Sequence, residues 1–196
     1  VTTPAPPTRR TRIIVAVAVV LVLALGLFFG VRALIEAAGA KTAAMPTPSP
    51  TSTDAGFTYT SDEYGYSVEF PSEPLEQSKT VPVGDFQVAL TSAIWSDGTR
   101  SLISNGATYP AGLLTDVNAS LASSLTSAVA GIKGARLVSS DPTTIDGIPG
   151  ISANILVPSG TLRIIIAIDG DTQYQLVAQN AGPEIAQGFF ASFRTQ

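Results

Sequence analysis

The 196-residue chain contains no cysteine and no histidine. Without cysteine there is no thiolate nucleophile, no structural disulfide and no acceptor for a lipid anchor. Losing histidine as well excludes Cys/His zinc sites and any Ser/His triad. The side chains left for chemistry are carboxylates, lysine, tyrosine, serine and threonine. A cysteine-free chain is compatible with an oxidising exterior, where unpaired thiols are a liability. What the sequence does have is apolar bulk. At 45% hydrophobic content it is too apolar to be disordered throughout, and its length suits one ordinary domain with additional segments.

Much of that bulk is concentrated near the start. Ile13 to Val31 reads IIVAVAVVLVLALGLFFGV, 19 residues without a charge or a strongly polar side chain. At about 1.5 Å per residue such a helix is about 28 Å long, close to the hydrocarbon thickness of a bilayer. The sequence therefore predicts a transmembrane helix over residues 13–35, in contact with membrane lipid. Arg9, Arg10 and Arg12 precede the run, against Arg32, Glu36 and Lys41 after it. The positive-inside rule then leaves residues 1–12 as a cytoplasmic tail and puts the C-terminal part outside the cytoplasm. The competing reading is a cleaved signal peptide, with AAGA at 37–40 as the small-residue site. Signal-peptide cores run about 7–15 residues, so the longer run favours an uncleaved anchor.

Residues 36–56 read as an extracytoplasmic linker. From Lys41 onward it alternates proline with serine and threonine, a composition that favours extended polyproline geometry. A stalk of this kind spans up to about 50 Å. From Phe57 to Gln196 the balance turns acidic, with thirteen Asp and Glu against six Lys and Arg, a net charge of −7. Nucleic acid, which needs a positive face, is not an expected partner.

The domain over 57–196 shows both periodicities. Tyr66, Val68 and Phe70 alternate with Ser67 and Glu69, as in a strand with one buried face, and Pro71 ends it. Strands are predicted at 78–83, 86–95 and 100–108, the first two joined by Gly-Asp and the last two by SDGT at 96–99. Over 113–130 the period changes. Leu114, Val117, Leu121, Leu125 and Ala128 recur every three or four residues, an amphipathic helix stopped by Gly131 and Gly134. Further strands follow at 136–139, 151–157, 162–168 and 173–179, the last pair joined by DGDT at 169–172. A short C-terminal helix is predicted over 182–194, with Pro183 in its first turn. The fold class is α+β, an antiparallel sheet covered by helices.

The landmarks VEFPSEP, GARLVSSDPTTIDGIPGISANI, TQYQLVA and FFASFR, in that order, resemble the PsbP-like fold family, including LpqN-type cell-envelope proteins and Mog-type PsbP-like domains. The resemblance covers about Phe57 to Gln196. It implies an αβα sandwich around a central antiparallel sheet, and a binding or accessory role without catalysis or cofactor. The fold hosts unrelated roles, so the resemblance names no ligand. Unlike the LpqN type, this chain has an apolar span in place of a lipidated cysteine.

Several residues are candidates for a site, and each also has a structural role to set beside it. Glu63, Glu69 and Glu73, with Glu76 just beyond, form an acidic patch on paper, beside Tyr64 and Tyr66. A charge run without fixed geometry is usually a solvated face, so the stretch reads first as a strand. Trp95, Tyr109, Tyr59 and Tyr174 are candidates for an aromatic ligand or partner surface or, alternatively, for the core. Asp169 and Asp171 suggest a calcium loop, but a hairpin turn accounts for them better. IDGIPG at 145–150 lacks the Lys-Ser/Thr ending of a phosphate loop and reads as a tight turn. Asn118 matches a glycosylation acceptor within a predicted helix and is discounted. The function expected is a membrane-anchored, extracytoplasmic binding or accessory protein, with an envelope protein or polymer as partner. The alternative is a small-ligand carrier or a carboxylate-based enzyme with a pocket in 57–196.

Overall fold

A computed structural model of the protein describes residues 56–83 and 86–196. The expected cytoplasmic tail, membrane span and nearly all of the linker lie outside the described residues. Among the described residues, no helix is long and apolar enough to cross a membrane.

The strands are β1 (Phe57–Ser61), β2 (Tyr66–Phe70), β3 (Leu75–Val83), β4 (Phe86–Ser96) and β5 (Ser101–Thr108), followed by helix α1 (Val117–Ala130). After it come β6 (Arg136–Ile145), β7 (Ile148–Val157), β8 (Gly160–Asp169), β9 (Thr172–Gln179), helix α2 (Pro183–Ala191) and the two-residue β10 (Arg194–Thr195). Seven strands form one antiparallel sheet in the order β3-β4-β5-β9-β8-β7-β6, and a smaller sheet has the order β1-β2-β10. The large sheet is thus two meanders. The chain leaves β5 at the centre, passes through α1 to the far edge at β6, and returns by hairpins until β9 pairs with β5.

Turn chemistry sets those hairpins. Asp146 and Gly147 sit at φ 49° and 81°, the doubly positive pattern of a type I′ turn, which matches the twist of the flanking strands. Asp97 accepts from the backbone N–H groups of Thr99 and Arg100 and pairs with the Arg100 side chain at 2.7 Å. Those contacts, the bond to the Arg100 backbone foremost, hold its carboxyl below the usual range.

Each sheet face has its own core, because alternate strand residues point to opposite sides. On one face Leu162, Ile164, Ile166 and Ile168 of β8 join Ile103 and Val177 beneath Leu121, Leu125 and Ala128 of α1. Each such side chain contributes about 1.5–3 kcal/mol through burial. The other face carries Tyr66, Val68 and Phe70 of β2, Tyr174 and Leu176 of β9, Ala186 and Phe189 of α2, and Phe193.

Several expectations are corrected. The sandwich is not αβα: one face of the large sheet is covered by a helix, the other by a second sheet together with the short α2. The strands β1 and β10 are the reason. Both owe their existence to pairing with β2, a non-local contact that a window on five or fewer residues does not register. Helix α1 begins at Val117 instead of 113, since the Asp116 side chain accepts from the Ala119 N–H at 3.0 Å and caps it there. The β6 strand continues past Ser139 through Pro142 to Ile145. Proline is tolerated because β6 is an edge strand whose outward N–H needs no partner.

Candidate functional site

The acidic residues of the opening strand region do not converge. Glu63 lies in the β1–β2 turn and accepts from the Thr91 hydroxyl at 3.2 Å. Glu69 is on the solvent side of β2, its backbone N–H bonded to the Ser192 Oγ at 2.9 Å. Glu73 is exposed in the loop before β3. Glu76 accepts from the Tyr59 hydroxyl at 2.6 Å. Each carboxylate serves a local contact or faces water, and among the described residues no group of three or more His, Cys, Asp or Glu is placed to hold a metal ion.

The aromatic residues divide between the two cores. Tyr66, 1% exposed, stacks on Phe193 at 5.4 Å and donates to the Ser104 Oγ at 3.1 Å. Tyr64 is buried with its ring on Gly106, where a Cβ would stand only 2.5 Å from the ring. That glycine inside β5 is a close-approach position. The Tyr174 hydroxyl donates to the Tyr64 carbonyl at 3.0 Å, tying the large sheet to the small one. Tyr109 is buried in the opposite, aliphatic core, so it shares no surface with the others. Trp95 is half-buried and donates to the Ser72 Oγ at 2.9 Å. Asp169 and Asp171 flank a hairpin turn; the Asp171 carbonyl accepts from the Tyr109 N–H at 2.8 Å and its carboxylate from the Gly112 N–H at 3.2 Å. Asp171 thereby fixes the loop leading to α1.

The arrangement with the capacity to hold another molecule lies elsewhere. Along β8 the even positions enter the aliphatic core, so Arg163 and Ile165 point to the other face. There the covering sheet and α2 leave most of β6 exposed and meet it only at its Ile145 end, and an open cleft of about 570 Å³ lies between β6, β8 and the end of α2. Ile165, Phe190 and Phe193 give it apolar walls; Arg163, Arg194 and Asp146 are its charged residues. Arg194 is anchored, with one guanidinium nitrogen donating to the carbonyls of Ala191 and Phe193 at 2.8 and 2.6 Å, a cation placed where the helix end is negative. Asp146 is occupied too. Its Oδ2 accepts from the Thr195 backbone N–H at 2.7 Å and hydroxyl at 2.8 Å. Those two bonds, then the nearby Arg194, hold its carboxyl below the usual range. Arg163 is paired through its backbone within β8, but its guanidinium makes no hydrogen bond or ion pair to any described residue. The cleft therefore offers one uncommitted guanidinium above an aromatic and aliphatic wall.

A second hollow, of about 500 Å³, lies between α1 and β6–β7. Leu125, Val129, Leu137 and Ile151 line it, with hydroxyls from Thr126 and Ser140 and no charge. It is an apolar groove at the margin of the aliphatic core.

Reading by local motif passes over the larger cleft, because Arg163 and Arg194 are far apart in sequence and belong to no pattern. One signal was present: in LRIIIAI a charged residue occupies a face that alternation otherwise assigns to Ile165 and Ala167.

No known family profile matches the chain, and no curated protein matches it. Among solved structures it is similar to cyanobacterial PsbP from Synechocystis sp. PCC 6803, at 13% identity and a TM-score of 0.45, over 78% of this chain and 99% of that one. It is also similar to a protein of unknown function, PA94 from Pseudomonas aeruginosa, at 12% identity and a TM-score of 0.33, over 67% of this chain and 86% of that one.

Proposed function

We propose that this chain is a membrane-tethered, extracytoplasmic binding or accessory protein of the cell envelope, with a PsbP-like domain that receives its partner at the cleft between β8 and α2. The observation that carries the reading is the uncommitted Arg163 in a cleft with a Phe190 and Ile165 wall. A guanidinium without an internal partner, at the mouth of an open cleft, keeps its planar fork of donors available to an external group. The tether follows from the 19-residue apolar run and the arginines before it. The order of landmarks from VEFPSEP to FFASFR is the support for PsbP-like kinship. A binding role fits the cleft better than acid–base catalysis, since Asp146 is its one carboxylate and is already engaged by Thr195.

The test is crosslinking in cells of the tagged full-length chain, purified from membranes, against a version lacking residues 57–196. Recovery of one envelope component only when the domain is present supports the reading. An identical set of products from both versions contradicts it.

A further inference from the structure

The geometry points to an organic carboxylate with an apolar group close to it as the ligand of this cleft, the carboxylate taken by Arg163 and the apolar group laid against Ile165 and Phe190. The inference rests on the cleft being the binding surface.

Three observations select that chemistry. The first is charge: Arg163 and Arg194 against Asp146 leave a surplus of one positive charge among the lining residues. The domain around them carries −7, so a single negative charge is matched locally, whereas a dianion is repelled by the whole domain. The second is geometry. The planar fork of an arginine pairs with both oxygens of a carboxylate at once, and Arg163 has its donors free, whereas Arg194 spends one nitrogen on the end of α2. Arg163 is thus the recognising group and Arg194 a fixed background charge. The third is the wall. Phe190 is half-buried and, unlike Phe193, keeps part of its surface towards the cleft. A ligand that brought only a charge would leave that surface wet, while one with an apolar body within a bond or two of its carboxylate covers it.

Two sources present this chemistry, a small free acid and the C-terminal residue of a peptide. They are separated with the full-length chain in lipid nanodiscs, empty nanodiscs being subtracted, by ligand-observed NMR relaxation. One arm compares phenylacetate with phenylacetamide and phenylphosphate. The other compares a phenylalanine-terminated tetrapeptide having a free carboxylate with its amide. The expected result is that the carboxylate form binds at least about tenfold more tightly than its amide in one or both arms. Arg163→Gln should remove that difference, and Phe190→Ala should weaken acid and amide alike. Preference for phenylacetate alone assigns a small acid, and preference for the free-ended peptide assigns a chain end.

Equal binding of acid and amide, with both weakened by Phe190→Ala, overturns the carboxylate inference and leaves the cleft as the binding surface. Tighter binding of phenylphosphate than of phenylacetate replaces the carboxylate with a phosphate. Absence of binding in both arms overturns the carboxylate inference outright, and the crosslinking experiment then decides separately whether the domain has a partner.

Discussion

The two faces of the large sheet are built on different principles. Under α1 the core is almost wholly aliphatic, drawn from alternate residues of six strands and the Leu121, Leu125 and Ala128 stripe. Under the small sheet it is aromatic, with Tyr59, Tyr64, Tyr66, Phe70, Tyr174, Phe189 and Phe193 in contact. The aliphatic face needs only area, because a helix can settle on a sheet in several ways. The aromatic face also needs registry. There the tyrosine hydroxyls reach Glu76, Ser104 and the Tyr64 carbonyl, pinning the small sheet to the large one. Those anchors lie on β3, β5 and β9, and the cover leaves most of β6 open, so the cleft with Arg163 lies at its margin.

The sharpest way to break the comparison is to truncate one buried side chain on each face. Phe193, wholly buried between Tyr66 and Tyr174 at 5.4 and 5.3 Å, should cost about 3–5 kcal/mol as Phe193→Ala. Leu125→Ala should cost about 2–5 kcal/mol. The distinguishing result is in hydrogen exchange: Phe193→Ala should deprotect β2 and β10 as a unit, whereas Leu125→Ala should affect α1 first. Gly106→Ala sharpens the registry argument. The new methyl meets the Tyr64 ring, so overpacking of about 1–3 kcal/mol is expected in a urea titration. Tyr66→Phe keeps the packing but removes the bond to Ser104, leaving that buried hydroxyl short of a donor, and should cost about 1 kcal/mol.

The remaining effect is a pH dependence, absent at neutral pH and confined to alkaline solution. All five tyrosines are pushed above the ordinary phenol value, burial being the first cause at each, with the bond to Glu76 adding to it at Tyr59. Raised native values mean that stability is full below the ordinary tyrosine pKa. It is lost as pH rises through the window from that value to the raised ones, because the unfolded chain ionises first. Absorbance near 295 nm should show no tyrosinate step at the ordinary value. Its appearance should coincide with unfolding followed by circular dichroism.

How far the sequence announced this architecture depends on the range of each interaction. The Tyr66, Val68, Phe70 alternation, the Asp-Gly turns and the Leu121 to Ala128 stripe are local patterns, and the elements formed there are close to those expected. Beyond them, α1 starts late because one cap at Asp116 outweighs the apolar pattern before it. β6 outruns its expected end because an edge strand accepts Pro142. The small sheet was invisible since β10 is two residues that become a strand only against Ser67 and Tyr66. The same holds for the site. Glu63, Glu69 and Glu73 stand close in sequence and are dispersed by the fold, while Arg163, Phe190 and Arg194 are distant in sequence and are brought to one cleft.

The most direct test of the account places a photo-crosslinking side chain at Gln187, an exposed residue on the α2 side of the cleft, and in a second variant at Glu69 on the solvent side of β2. Both full-length proteins would be illuminated in the membranes of cells that produce them. The account predicts a discrete adduct from Gln187, lost when Arg163→Gln is added, and none from Glu69. An adduct from Glu69 with none from Gln187 would contradict it and return the binding surface to the acidic strand.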